Sequence, residues 1–104
     1  HFDNWITIAQ IFEKHYQKEK NPERKKQILA YIIDYKDLTL LMNWKAQKNE
    51  QLWKYSYDAY KKIASLAFAD YWSSEFSKEI KKKNFLQNLP TDLGYKIFRK
   101  RFGS

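Results

Sequence analysis

Apolar residues recur at intervals of three and four along most of this chain. Trp5, Ile8, Ala9, Phe12 and Tyr16 fall on one face of a 3.6-residue period, with Thr7, Lys14, Gln17 and Lys18 opposite. That pattern predicts an amphipathic helix capped by Asp3 or Asn4 and running to about Lys20. Asn21-Pro22-Glu23 reads as a restart, with Asn as cap, Pro at the first helical position and an acid beside the positive helix end. A second helix then covers Pro22 to Tyr35, and Ile28, Leu29, Tyr31, Ile32 and Ile33 wrap more than half of it, as expected of a central element.

Leu38, Leu41, Met42, Ala46, Trp53, Tyr57, Tyr60, Ala64, Phe68 and Tyr71 continue the helical spacing. Asn49 followed by Glu50 and Gln51 is a cap signal and divides this stretch into Leu38–Lys48 and Glu50–Trp72. Asp34 and Asp37 fit the start of the first of these, where carboxylates cap and charge a helix end. After Ser73 and Ser74, Phe76 and Ile80 share a face that Phe85 does not, which predicts a fifth helix that bends or ends between Lys82 and Asn84. A last helix starts with Thr91 as cap and ends near Phe102 at Gly103.

Neither Gly nor Pro occurs between Glu23 and Leu89, so the tight turns of a β fold have no residues to make them. The expected fold is therefore all-α, a compact bundle of about five to six helices. Its 104 residues suit one domain, and an opening His1 in place of Met suggests a piece trimmed or excised from a longer protein. With no Cys, neither disulfides nor thiolate metal sites contribute, and stability falls to packing. Seven Phe, eight Tyr and four Trp predict an aromatic core, with Trp5, Trp53 and Trp72 on core positions. No apolar run approaches the roughly 20 residues of a membrane span.

Charge adds a direction. The net charge is +8, and residues 77–104 hold eight basic and two acidic side chains. On a helical projection Lys78, Lys81 and Lys82 gather opposite Phe76 and Ile80, with Lys83 nearer the apolar edge, and Lys96, Arg99 and Lys100 form a similar row beside Arg101. Such rows suit phosphate oxygens, although lysines also solvate the outer faces of ordinary helices. Trp44 lies off the stripe of Leu38, Met42 and Ala46 and is the first candidate for an exposed aromatic contact, with Tyr55 second.

Catalytic patterns are thin. His15 with Glu19 one turn on reads as a partly buried ion pair rather than a general base, and Asp34 with Asp37 makes a poor cation site. No Gly precedes residue 94 to form a phosphate loop. The opening helix–Asn-Pro–helix lacks the short Gly-containing turn of a helix-turn-helix reader. The sequence thus points to a protein without catalysis, cofactor or metal. Its expected partner is nucleic acid, DNA or RNA read with low specificity, or else an acidic protein partner taken by an aromatic groove with a basic rim. The absence of an Asn-x-Ser/Thr acceptor leans toward an intracellular setting, cytoplasmic or nuclear/nucleoid.

Overall fold

Local capping chemistry sets most helix starts. The computed structural model describes residues 2–64 and 76–102, with side chains from residue 4 onward. The Asn21 side chain accepts from the backbone N–H groups of Glu23 at 2.9 Å and Arg24 at 3.2 Å, with Pro22 in the first turn where its missing N–H costs nothing. Asn49 accepts from Leu52 N–H at 3.0 Å and Ser77 from Ile80 N–H at 3.2 Å. The described helices are α1 (Phe2–Lys18), α2 (Pro22–Gln47), α3 (Glu50–Lys61), α4 (Lys78–Leu86) and α5 (Thr91–Arg101), and no strand occurs among the described residues. The all-α expectation is met.

Several boundaries differ from the sequence reading. The predicted second and third helices are one continuous α2 of 26 residues. Nothing at positions 35–38 breaks the backbone, and Asp34 and Asp37 are mid-helix residues rather than caps of a new one. α4 continues through Asn84 to Leu86 instead of stopping near Lys82, because Asn84 is itself buried at 4% exposure on the inner face. Thr91 is not a cap: Pro90 holds that position without a side-chain bond, and the Thr91 hydroxyl instead donates to Asp58 while accepting from Lys61 at 3.1 Å. The predicted Glu50–Trp72 helix ends early, at Lys61, with Lys62 as its C-cap and a turn over residues 62–64, while positions 65–72 with Trp72, and the Ser73, Ser74 and Gly103 boundaries, lie outside the described residues.

α2 is the central element, packed by α1, α3 and α4, while α5 lies on α3. Its inner sides carry Leu29, Ile32, Ile33 and Leu40, all nearly or fully buried. The largest core group is aromatic. Trp53 stacks on Tyr57 with ring centres 5.1 Å apart, Phe98 sits against both, and the Trp53 indole N–H donates to the Leu40 carbonyl at 3.1 Å.

A polar seam runs between α2 and α3. Asn43 donates to the Ser56 hydroxyl at 2.8 Å, Thr39 and Tyr60 hydroxyls meet at 2.6 Å, and the Lys36 ammonium donates to the carbonyls of Ile63 at 2.7 Å, Ala64 at 3.0 Å and Tyr60 at 3.3 Å. Each of these groups is satisfied inside the protein, so a slip of α2 against α3 would strand buried polar atoms. The seam fixes the pairing register.

Candidate functional site

Two devices hold the basic helices in place. α4 seats Ile80 against Leu29 and Ile33, and the Gln87 amide that ends it donates to the Ile33 carbonyl of α2 at 2.8 Å. The Tyr57 hydroxyl donates to the Leu86 carbonyl at 2.6 Å and accepts from Leu89 N–H at 3.0 Å, which clamps the link between α4 and α5 onto α3. Burial pushes that phenol up to about 12. Gly94 lets α5 come close: a Cβ there would lie 2.5 Å from the Tyr57 oxygen.

The remaining side chains of α4 and α5 sort into paired and unpaired charge. Lys83 reaches Asp34 at 2.6 Å and Glu79 at 3.2 Å, and the hydrogen bond to Asp34 raises its pKa despite desolvation. Arg101 pairs in bidentate fashion with Asp37, at 2.6 and 3.0 Å, on a carboxylate only 5% exposed. Asp92 is held by Lys54 at 2.8 Å, and that hydrogen bond keeps its carboxyl below the usual range. Arg101, expected as a phosphate contact, is therefore an internal strut, because the buried Asp37 would otherwise lack a counter-charge.

Lys78, Lys82, Lys96, Arg99 and Lys100 are exposed and Lys81 is half-buried. None of the six takes part in an ion pair among the described residues, whereas both carboxylates of the segment, Glu79 and Asp92, are occupied by other lysines. The two rows ride on helices with different main packing partners, α2 for α4 and α3 for α5. Exposed Phe85, at 54%, shares the outer arc of α4 with Lys78, Lys81 and Lys82, and exposed Leu93, at 46%, neighbours Lys96 and Lys100 on α5.

The expected aromatic contacts divide. Trp44 is not an exposed aromatic: it is half-buried, stacked on Phe102 with ring centres 4.8 Å apart and edge-on to Tyr95 at 5.8 Å. α5 supplies those rings, so a position off the local stripe of α2 still faces core. Tyr55 is 57% exposed and borders a shallow hollow between α1 and α3 with Gln10, Glu13 and Lys62.

Lys36 gave no signal as a lone charge in the sequence, yet it is completely buried. Its ammonium caps carbonyls at the C-terminal end of α3, where the helix dipole is negative. Burial pushes the amine down to about 7 against the opposing pull of Glu13 on α1. The legible clue was spacing: Lys36, Thr39 and Asn43 are polar at i, i+3 and i+7 on a helix face lined elsewhere by Ile32 and Leu40.

A second surface lies between α1 and α2. A groove of about 490 Å³ there is lined by Phe12, His15, Lys18, Gln27, Ile28 and Tyr31, with Glu19 at its edge. His15 faces this groove and is exposed, not part of the core. Among the described residues no group of three or more His, Asp or Glu is placed to hold a metal ion, and no helix is long and apolar enough to cross a membrane. No protein family, curated protein or solved structure matches the chain.

Proposed function

We propose that this domain binds nucleic acid non-specifically through the solvent faces of α4 and α5. The observation that carries the reading is the charge left over after folding: Lys78, Lys81, Lys82, Lys96, Arg99 and Lys100 form no ion pair among the described residues, while Asp34 and Glu79 are taken by Lys83, Asp37 by Arg101 and Asp92 by Lys54. Cations that do not serve the fold are free to displace counter-ions from a phosphate backbone. Phe85 and Leu93 beside them offer apolar contact to sugars or unpaired bases. Phosphate contacts alone position a protein without reading sequence, so affinity should vary little among duplexes.

Binding to unrelated duplexes across a salt series tests this. Changing the six cations to Gln should leave the helical spectrum intact and flatten the slope of log affinity against log salt by up to about 5 units, at about 0.9 per lost contact. Lys14, Lys18 and Lys20 changed to Gln serve as the control on another surface. An equal loss per charge from both sets, or no binding by the unmodified chain at roughly 50 mM salt, where non-specific contacts are strong, would overturn the proposal.

A further inference from the structure

Five of the large apolar side chains most exposed in this protein share the α1–α2 face: Ile8 at 37%, Ile11 at 47%, Tyr31 and Leu38 at 55% and Met42 at 46%. Soluble proteins scatter single apolar residues over their surfaces, but a contiguous set marks a contact site. On α2 the set has a period. Tyr31, Tyr35, Leu38 and Met42 follow one another at four, three and four residues, the spacing of a seam that receives another helix. The stripe is about 16 Å long at 1.5 Å per residue. Beside its first turn lies the groove between Phe12, Ile28 and Tyr31.

The rings along this face are already ordered. Tyr31 meets Phe12 edge-on at 5.1 Å and stacks with Tyr35 at 6.4 Å, and Phe12 meets Tyr35 at 5.8 Å. A surface fixed before binding loses little side-chain freedom on contact.

Charge selects the occupant. Arg24 and Lys45 stand seven residues beyond Tyr31 and Leu38, so a cation closes each end of the stripe, and Lys14 and Lys18 line the α1 side next to Ile11. All four are exposed, and none forms an ion pair among the described residues. Of the described acids nearby, Asp34 is held by Lys83 at 2.6 Å and Glu23 lies 3.9 Å from Lys26, which leaves Glu19. A second copy of this chain is a poor occupant: antiparallel pairing brings the Lys45 end of each copy toward the Arg24 end of the other, parallel pairing sets like against like, and each copy carries +8.

We infer that the α1–α2 face docks an acidic amphipathic helix of a partner protein, with apolar residues at heptad spacing over the Tyr31–Met42 stripe and carboxylates toward Arg24 and Lys45. One apolar side chain of that helix enters the groove beside Tyr31. The surface is separate from the basic faces of α4 and α5, and the inference stands without them.

The test titrates the full chain with a 22-residue designed helical peptide that carries Leu at heptad positions and Glu elsewhere, and with its Lys-for-Glu counterpart. The acidic peptide should bind saturably and at least about tenfold more tightly than the basic one. Leu38→Gln with Met42→Gln should weaken it by about tenfold or more, since both side chains are surface groups whose burial occurs only on binding. Arg24→Gln with Lys45→Gln should weaken it and reduce its salt dependence. The six-fold Gln variant of α4 and α5 should bind it unchanged. Several results would overturn the inference: no saturable binding, equal binding of both peptides, loss in the six-fold variant with retention in the Leu38/Met42 variant, or self-association abolished by the Leu38/Met42 changes.

Discussion

Replacing Lys36 with Met should abolish a rise in stability that the natural chain shows between pH 7 and 9. The folded amine titrates at about 7, against an ordinary value of 10.5, chiefly because burial disfavours its charge. Between those values the unfolded chain holds a proton that the folded one has released, so unfolding free energy increases with pH, by at most 1.36 kcal/mol per unit. Below pH 7 both states carry the charge, and folding bears the whole cost of burying it. From pH 7 to 9 the expected gain is about 2 kcal/mol, or a Tm higher by about 9 °C for a chain of this size. Measurements should stop near pH 9, because the buried Tyr57 and Tyr60 hydroxyls are pushed above their ordinary 10.0 and their unfolded counterparts begin to ionise there, which favours unfolding. The groups facing the amine are Glu13 from α1 and the carbonyls of Tyr60, Ile63 and Ala64 at the end of α3 and its exit. Urea unfolding followed by circular dichroism, at constant ionic strength, gives both profiles. Parallel slopes for the two proteins, or a natural chain that loses stability between pH 7 and 9, would refute the reasoning. If the Met variant does not fold, the slope of the natural chain decides the matter alone.

Two further comparisons check the placement of Trp44 and Arg101. Trp44→Ala should cost roughly 3–5 kcal/mol by removing the ring stacked on Phe102, whereas Tyr55→Ala should cost under about 0.5, and urea melts that rank them the other way would place Trp44 outside the core. Arg101→Gln should cost about 2–3 kcal/mol, less than for a fully buried pair because Arg101 keeps 34% of its side chain exposed. Most of that loss should be recovered in the double variant with Asp37→Asn, which removes the stranded carboxylate, and an absence of recovery would deny the coupling.

How much could be read from the sequence follows from how far each signal reaches. Asn21 with Pro22, and Asn49, announced helix starts because a cap is completed by an N–H two or three residues away. The helical period and the lack of Gly and Pro before the last helix decided the all-α class for the same local reason. The outward row of Lys78, Lys81 and Lys82 was also legible from phase, and so was the one on α5. What failed was every inference about a partner distant in sequence. Asp37 read as a cap because its neighbours allow one, yet its counter-charge is Arg101, 64 positions on. Trp44 read as exposed because α2 alone has a stripe elsewhere, and only the arrival of α5 encloses it. Lys36 resembled any solvated lysine until α3 ended above it, with carbonyls 24 to 28 positions away that make its burial tolerable. Backbone conformation responds to neighbours within a turn, while the state of a charge or a ring depends on what the fold brings against it. The sequence by itself therefore determined the helices and their outer faces, and the tertiary structure decided which charges remained for a partner.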